Sequence, residues 1–411
     1  MRLRKNPLYD QEPVNPVIEV EQKPGKRRVI LLIICLTVAV VALGYWVYNL
    51  VTVEPGWYSI SADTSAPNCG SEFAFSYNVG KNAKEEKKAV TSAYTQAVVD
   101  AYNLFTWDVE APVEGGIRYV SDRPNQTVTV DGGLYRALAQ AKDSRLLFMG
   151  PITTEYGRIF QYDEEHLAAQ YDPGQNPEVM AYITELVAFT GSEAHIRLEL
   201  SGNNQVKLCI SQEYLAFARE NGIENFLDLG WMRNAFAADF IADALVEKGY
   251  TQGYLVSFDG YGCYLDGEYT LSLSDRVGYE IYRPAAYGVK GPTRTASFRN
   301  YPLQGNGLDA WRFFAFTNGK IASVYVDPTD GVCKSSTDNL VSYSQSASCA
   351  EQALACGPLF LTETLDETAL VELAAAGLHT IWAEGKELRY TDSALTLTIT
   401  DGNGYTQKHI Q

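Results

Sequence analysis

The stretch 225–262 places the strongest constraint on the fold of this chain. It begins with a short apolar run, residues 226–230, which contains one carboxylate and ends in glycine. Apolar residues then recur at helical spacing until Lys248 and Gly249, a pair that favours the end of a helix. A second apolar run, 254–258, closes on an Asp-Gly turn. The order strand, turn, helix, turn, strand is typical of an ordinary packing unit, but it also presents backbone N–H groups and a carboxylate to a ligand.

Length and charge limit the class of protein. The chain has 411 residues, 46% of them hydrophobic, which suffices for one large domain or two ordinary ones. Its net charge is −17, and because residues 1–28 contribute +3, the remainder carries −20. Nucleic-acid binding needs a cationic footprint, so this balance argues against a nucleic-acid partner.

Residues 29–51 carry no charge and are rich in Val, Leu and Ile. A helix of that length can span a hydrocarbon core of roughly 30 Å. Four cations in the segment 23–28 precede it and acidic residues follow it, so the positive-inside rule predicts a cytoplasmic tail (1–28), a transmembrane helix (29–51) and an extracytoplasmic main domain. A cleaved signal peptide is the alternative, although the stretch is long for one and lacks a small-residue cleavage site. We expect a single-pass cell-membrane protein.

Other chemical signals are weak. Seven cysteines and four histidines occur without the spacing of a zinc site. Disulfides can form outside the cell, but Cys349 and Cys356 would lie about 10 Å apart along one helix and could not bridge each other. Asp239 and Asp243 stand four residues apart on one helix, a pattern more typical of a solvated face than of paired catalytic carboxylates.

The remaining pattern predicts one α+β domain from residue 72 onward, without internal repeats or a linker. Helices are predicted to begin near residues 81, 131, 176, 211, 348 and 365. Strands are predicted at 72–77, 117–120, 127–130, 196–200, 206–210, 311–317, 321–326, 339–344, 380–383, 387–390 and 394–400. Residues 146–157 are predicted to be irregular.

The order of these pieces resembles the ApbE family, the FAD:protein FMN transferases. The family's core pattern D-L-G-G-I-A-K-G-Y-A-x-D precedes a strand that ends l-I-n-l-G-G-d. Residues 228–239, D-L-G-W-M-R-N-A-F-A-A-D, lie on the first pattern without a gap, and residues 255–260, L-V-S-F-D-G, lie on the second. The resemblance covers about residues 66–400 and implies an ApbE-like (T-fold-like) single domain behind the N-terminal transmembrane helix.

Further motifs occur in the family's order. Residues 324–331, V-Y-V-D-P-T-D-G, resemble H-I-I-D-P-x-T-G, and residues 350–356, A-E-Q-A-L-A-C, resemble the metal helix A-D-A-L-A-T-A. Residues 69–71 (C-G-S), 105–107 (F-T-W) and 146–151 (L-L-F-M-G-P) resemble the family's M-G-T, S-x-Y and G-A-F-D-P-T.

The resemblance implies an enzyme that binds FAD as a substrate together with Mg²⁺, and that transfers FMN to a threonine of an FMN-binding acceptor protein. Metal and oriented donors would stabilise charge on the pyrophosphate while the acceptor oxygen attacks in line. The family's cofactor-binding positions fall on Cys69, Trp107, Phe148, Asp228, Asn234 and Asp327. Its metal positions fall on Ser348, Glu351 and the backbone carbonyl of Trp231.

The sequence departs from the family where the chemistry lies. Trp231 replaces a glycine, Asn234 a lysine, and Val324 a histidine. Glu351 replaces the metal aspartate and Ala355 the metal threonine, although Mg²⁺ demands near-ideal oxygen geometry. Two hypotheses stay open: an active outward-facing transferase, and a non-catalytic member that binds a flavin, a nucleotide or a protein. A surface protein unrelated to flavin is a third.

Overall fold

The structure of the protein is a computed structural model that describes residues 26–51, 53–70, 72–400 and 404–411. The described residues divide into two units, one that ends at Glu54 and one that begins at Pro55. Most of the predicted cytoplasmic tail, residues 1–25, lies outside the described residues, as does Ser71 of the C-G-S motif.

The first unit contains helix α1, Lys26–Val51. The large aliphatic side chains described between residues 30 and 43, such as Ile30, Leu36 and Val41, are more than half exposed. Within the described part of the chain, no helix combines the length and hydropathy needed to cross a membrane. The predicted span and its orientation stay predictions.

The second unit alternates helices and strands. Its described α-helices are α2 (Ala83–Phe105), α3 (Ile117–Ser121), α4 (Gly132–Ala141), α5 (Gly150–Ile159), α6 (Glu165–Ala168), α7 (Pro177–Thr190), α8 (Gln212–Asn221), α9 (Arg233–Glu247), α10 (Cys349–Phe360) and α11 (Glu367–Ala375). Short 3₁₀ turns lie at Arg145–Phe148, Gly230–Met232 and Gly307–Trp311.

The strands form four sheets. They are β1 (Gly56–Ile60), β2 (Phe73–Val79), β3 (Thr127–Thr129), β4 (Ile196–Ser201), β5 (Gln205–Ile210), β6 (Gly253–Ser257), β7 (Tyr261–Tyr264), β8 (Glu268–Val277), β9 (Glu280–Lys290), β10 (Thr293–Arg299), β11 (Phe313–Ala315), β12 (Ile321–Ser323), β13 (Asn339–Ser344), β14 (His379–Glu384), β15 (Glu387–Tyr390), β16 (Leu397–Ile399) and β17 (Thr406–His409). The large sheet has the order β1-β2-β6-β7-β10-β13-β14-β15-β17. The smaller sheets are β16-β9-β8, β3-β5-β4 and β11-β12.

The middle of the nine-stranded sheet is covered on both faces. Strand β13 shows this because all six of its residues are buried. On one face Ser342 donates a hydrogen bond to Oε1 of Gln352 in helix α10 at 2.8 Å. On the other face Val341 and Tyr343 join a hydrophobic cluster with residues of β8, β9 and β16. We call these the helical face, covered by α9 and α10, and the hairpin face, covered by β8 and β9.

Several predicted elements are present. Asp131, Asn176 and Ser211 cap helices α4, α7 and α8, each accepting a hydrogen bond from a backbone N–H of the first turn. The hairpins β4–β5 and β11–β12 form as predicted, with shorter strands in the second case. Helix α9 and strand β6 of the stretch 225–262 are also present.

Three local predictions are wrong. Residues 117–120 form helix α3 rather than a strand, because Ile117 and Val120, three residues apart, are both buried on one side of a helical turn. Residues 146–157 are helical rather than irregular, since Pro151 lies in the first turn of α5, where its missing N–H needs no partner. Residues 226–230 form no strand and lead into the 3₁₀ turn.

Candidate flavin and metal site

The turn before helix α9 is built around Asp228. Its carboxylate accepts hydrogen bonds from Asn225 Nδ2 at 2.9 Å and from the Gly230 N–H at 3.0 Å. Gly230 has φ +54°, a left-handed conformation that glycine adopts without strain. Both oxygens of this predicted cofactor residue are therefore engaged in holding the turn.

The indole of Trp231 packs against helix α10 and strand β10. It is 9% exposed, and its ring centroid lies 5.8 Å from that of Phe298 and 5.4 Å from that of Tyr325. A Cβ on Gly357 of helix α10 would lie 2.5 Å from the indole, so a glycine is required opposite this ring. The Trp231 carbonyl accepts a hydrogen bond from the Tyr261 hydroxyl at 3.3 Å. The predicted metal-binding carbonyl thus already has a protein partner.

A polar cluster follows Trp231 at the start of helix α9. Asn234 Nδ2 donates to Glu72 Oε2 at 2.7 Å and to Asp259 Oδ2 at 3.0 Å. Arg233 forms a close ion pair with Glu72. Burial lowers the pKa of Arg233, but the carboxylates, Glu72 above all, outweigh burial and raise it overall. Helix α9 is thereby tied to the segment that enters strand β2.

A cavity of about 20 Å³ lies beside this cluster, and Gly70, Glu72, Thr106, Arg233 and Asn234 contribute to its lining. The structure therefore brings together three segments that carry predicted cofactor positions, because Cys69 and Trp107 adjoin Gly70 and Thr106. The volume corresponds to about one water molecule, whereas small-molecule and cofactor sites enclose about 300–1,000 Å³. The segments converge as the resemblance implies, and the space between them is far smaller than a flavin.

Two further predicted cofactor residues pack against arginines. Phe148 lies in the core, 1% exposed, with the Arg145 guanidinium 4.7 Å from its ring centroid. Trp107 has the Arg118 guanidinium 5.1 Å from its ring, and its Nε1 is buried without a hydrogen-bond partner among the residues described. Cys69 is partly exposed and has a free thiol.

The predicted metal ligands Ser348 and Glu351 meet at the start of helix α10. Ser348 Oγ accepts a hydrogen bond from the Glu351 N–H at 3.1 Å, and the Glu351 carboxylate accepts one from the Ser348 N–H at 2.7 Å. This reciprocal arrangement is a capping box. Each side chain satisfies the other's backbone, and Ala355, one turn further on, has no side-chain oxygen to complete a metal site.

The interpretation of Asp239 as part of a solvated face is wrong. Its carboxylate accepts hydrogen bonds from the N–H groups of Cys349 and Ala350 at 3.0 and 2.9 Å, and Arg294 Nε lies 3.4 Å away. Burial raises the pKa of Asp239 more than these donors lower it. Asp239 thus anchors helix α10 to helix α9. In the sequence, only the match of Asp239 to the last aspartate of the family's core pattern indicated that this residue is more than a surface carboxylate.

Two buried thiols adjoin Asp239. The sulfur atoms of Cys263 and Cys349 are 3.7 Å apart, and with an Asp239 oxygen they form a group of metal-ligand type in which all three atoms lie within 4.8 Å of one another. Asp239 already accepts two backbone N–H groups, and Arg294 supplies the positive charge. The group is therefore satisfied by the protein and does not call for a cation.

Asp327 is held within its own loop. Its Oδ1 accepts hydrogen bonds from the N–H and the hydroxyl of Thr329 at 2.8 and 2.6 Å, and Lys334 Nζ donates to Oδ2 at 3.1 Å. Burial raises the pKa of Asp327, but these donors outweigh burial and the pKa is lowered. The carboxylate is ionised and fully engaged.

The residues present do not fit FAD and Mg²⁺. An Mg²⁺ site needs several free oxygen ligands in octahedral geometry. Here the Trp231 carbonyl bonds to Tyr261, while Ser348 and Glu351 bond to each other. The indole of Trp231 also fills the position where the family has a glycine.

Comparison with solved structures identifies the fold. The chain aligns with the ApbE protein of Thermotoga maritima at 14% identity and a TM-score of 0.53, covering 79% of this chain and 94% of that one. It aligns with a mutant of the flavin transferase ApbE from Vibrio cholerae at 14% identity and a TM-score of 0.52, covering 84% and 97%. No protein-family model and no curated protein matches the sequence. The resemblance to ApbE is thus confirmed at the level of the fold, and the low identity is consistent with a divergent chain: this protein has the ApbE fold.

Proposed function

We propose that this protein is a non-catalytic binding module built on the ApbE fold, and not an active FAD:protein FMN transferase. The observation that carries the proposal is the indole of Trp231, packed onto Gly357. The transferase alternative is supported by the fold and by the order of the motifs. It is opposed by the side chains that stand at the metal and pyrophosphate positions.

The physical basis is competition between ligand and ring. FMN transfer relies on metal and donor groups positioned around a pyrophosphate. A ligand could enter here only by expelling the indole, and exposing a buried aromatic ring costs about 2–3 kcal/mol. That alone weakens binding by roughly 30- to 150-fold. The ligand would also have to replace the Tyr261 bond to the Trp231 carbonyl.

We further propose that helix α1 anchors the protein in the cell membrane, with residues 55–411 on the outer side. The uncharged stretch 29–51, the cations before it and the exposed aliphatic side chains of α1 support this placement. A binding module on the outer surface would act on extracytoplasmic partners.

Incubation of the full chain with FAD, Mg²⁺ and an FMN-binding acceptor domain tests the proposal. The expected result is no covalent flavin on the acceptor in a denaturing gel viewed by fluorescence, while the Vibrio cholerae ApbE protein, run in parallel, is the positive control. Covalent, Mg²⁺-dependent flavin on the acceptor would overturn the proposal. The double variant Trp231→Gly/Ala355→Thr tests whether reopening the site restores flavin binding.

A further inference from the structure

Two buried cysteines from distant parts of the chain meet beneath the start of helix α10. Cys263 lies in strand β7, and Cys349, 86 positions further on, is the first residue of α10. Both residues are 0% exposed, and their sulfur atoms are 3.7 Å apart. The packing of the helix on the sheet thus brings two thiols into direct contact.

The backbone on both sides of this thiol pair is held in place. The Cys349 sulfur lies 3.4 Å from the carbonyl oxygen of Gly262 in β7 and 3.5 Å from that of Thr295 in β10. On the helix side, the first two N–H groups of α10 donate to Asp239. A disulfide bond is about 2.05 Å long, so the sulfurs would have to approach by roughly 1.7 Å. Rotation of the two side chains about their Cα–Cβ bonds supplies a movement of this kind.

A metal ion is the competing use of the two thiols. With one oxygen of Asp239 they form a group of three ligand atoms among the residues described, whereas a structural zinc site uses four. The Arg294 guanidinium, 3.4 Å from Asp239, already supplies positive charge there. Two adjacent thiols beside a paired carboxylate therefore favour a sulfur–sulfur bond over a bound cation.

The folded chain protects the thiol pair from reagents. Burial above all, with contributions from Cys263 and Asp239, raises the pKa of the Cys349 thiol well above its ordinary value, and Arg294 does not offset this. The thiolate is the form that attacks a disulfide. Exchange with an oxidant therefore takes place while the chain folds or while α10 opens locally. A bond once formed is shielded from reductants by the same burial.

We propose that Cys263 and Cys349 form a disulfide that joins helix α10 covalently to strand β7. The oxidant is another disulfide, on a small molecule or a protein. One cysteine thiolate attacks its S–S bond and releases one thiol, and the second cysteine then displaces the other thiol from the mixed disulfide. Both protein sulfurs are oxidised, both oxidant sulfurs are reduced, and the two cysteine protons end on the released thiols. The supply of such an oxidant rests on the proposed extracytoplasmic placement.

The disulfide would strengthen the closure of the helical face. Helix α10 carries Gly357, on which the indole of Trp231 packs. A covalent bond from its first residue to the sheet restrains movement of the helix away from that indole. The inference therefore adds redox control to the closed site on which the proposed function depends.

Refolding of the full chain in detergent, with a mixture of oxidised and reduced glutathione, tests the inference against a sample refolded with a phosphine reductant. Alkylation followed by peptide mass spectrometry should find the Cys263 and Cys349 peptides joined in the first sample and separately alkylated in the second. Because the closed loop is long, the oxidised form should melt at least about 5 °C higher. Cys263→Ser should abolish this difference. The matched control Cys356→Ser, which removes another buried thiol of α10, should keep it.

A second measurement needs no variant. Amide hydrogen exchange at residues 350–353 should be at least about tenfold slower in the oxidised than in the reduced unmutated protein. Equal exchange in the two forms would contradict the restraint on α10.

Three outcomes overturn the disulfide itself. They are free Cys263 and Cys349 thiols after oxidative refolding, a bond from either residue to another cysteine, and stoichiometric Zn²⁺ that the reduced protein retains and Cys263→Ser loses. None of these readouts involves FAD or a membrane. Failure here is therefore distinct from failure of the proposed loss of transferase activity or of the proposed placement.

Discussion

The two faces of the central sheet differ in how much space they leave for a ligand. On the helical face, side chains fill the region of the expected flavin site and leave a cavity of about 20 Å³. On the hairpin face, a cleft of about 1320 Å³ stays open. Neighbours on β10 mark the division, since Phe298 packs against Trp231 while Arg299 lines the cleft. The fold determines where a concave site can form, but individual side chains determine which one is open.

The first prediction tests how firmly the helical face is closed. Trp231→Ala should lower the free energy of unfolding by about 3–5 kcal/mol, because it removes a buried indole packed on Gly357. Chemical denaturation of the full chain measures this loss. Trp311→Ala is the matched control, since Trp311 is 64% exposed, and it should change stability by less than about 0.5 kcal/mol. Equal effects would contradict the closed site.

The second prediction concerns the floor of the cleft. Asp309 accepts hydrogen bonds from Arg299 at 2.7 Å and from the Leu303 N–H at 2.6 Å, and both charged side chains are buried. Asp309→Ala should cost about 3 kcal/mol, because it leaves a buried guanidinium unpaired. Glu199→Ala breaks the exposed pair with Arg197 at 2.8 Å and should leave the stability almost unchanged. Thermal unfolding of the two variants measures these losses of stability, and a larger loss for Asp309→Ala than for Glu199→Ala indicates a rigid cleft floor.

The third prediction uses pH to separate two carboxylates near the closed site. The folded pKa of Asp239 is raised by burial, so its stabilising contribution is present below its ordinary value of 3.8 and is lost as pH rises through the raised pKa. The folded pKa of Asp327 is lowered by Thr329 and Lys334 against the effect of burial. Its contribution is therefore present above 3.8 and is lost as pH falls through the lowered pKa.

Stability measured against pH in Asp239→Asn and Asp327→Asn checks both signs. Asp239→Asn should reduce the decline in the free energy of unfolding above pH 3.8. Asp327→Asn should reduce the decline in the free energy of unfolding at acid pH. If both variants reduced the pH dependence of stability on the same side of pH 3.8, the direction of one of the two pKa shifts would be wrong.

The smallest predicted effect distinguishes a helix cap from a metal site. Ser348→Ala should cost about 1 kcal/mol through loss of the cap. Glu351→Gln should cost almost nothing, because glutamine also serves in a capping box. Added Mg²⁺ should not change the melting temperature of either variant. An Mg²⁺-dependent stabilisation that disappears in Glu351→Gln would identify Glu351 as a metal ligand.

Local elements could be predicted where the signal is local. Asp131, Asn176 and Ser211 precede helices that they cap, and the family patterns predicted the fold confirmed by comparison with solved ApbE structures. The 117–120 segment could not be predicted, because packing of Ile117 and Val120 overrides the strand preference of branched side chains. Strand β17 is polar and lacks the alternation of apolar and polar residues that predicts a strand. Only its pairing with β15 in the structure identifies it.

The site depended on contacts between distant parts of the chain. The replacement of a glycine by Trp231 was visible in the sequence, but its contact with Gly357 depends on how α9 and α10 pack. The anchoring of helix α10 by Asp239 joins residues separated by 110 positions. The cleft likewise arises where β8 passes over β10 and β13. Residues 256–258 and 260 of the second family pattern line it, but the sequence does not show which strands lie opposite them.

Binding of FAD to the full chain tests the central claim most directly. Fluorescence anisotropy of FAD, with Mg²⁺ present, should show no binding tighter than about 1 mM in the unmutated protein. The claim predicts that the Trp231→Gly/Ala355→Thr variant, if it folds, binds more tightly than the unmutated chain. Saturable, Mg²⁺-dependent binding of FAD to the unmutated protein in the micromolar range would contradict the claim that Trp231 closes the site.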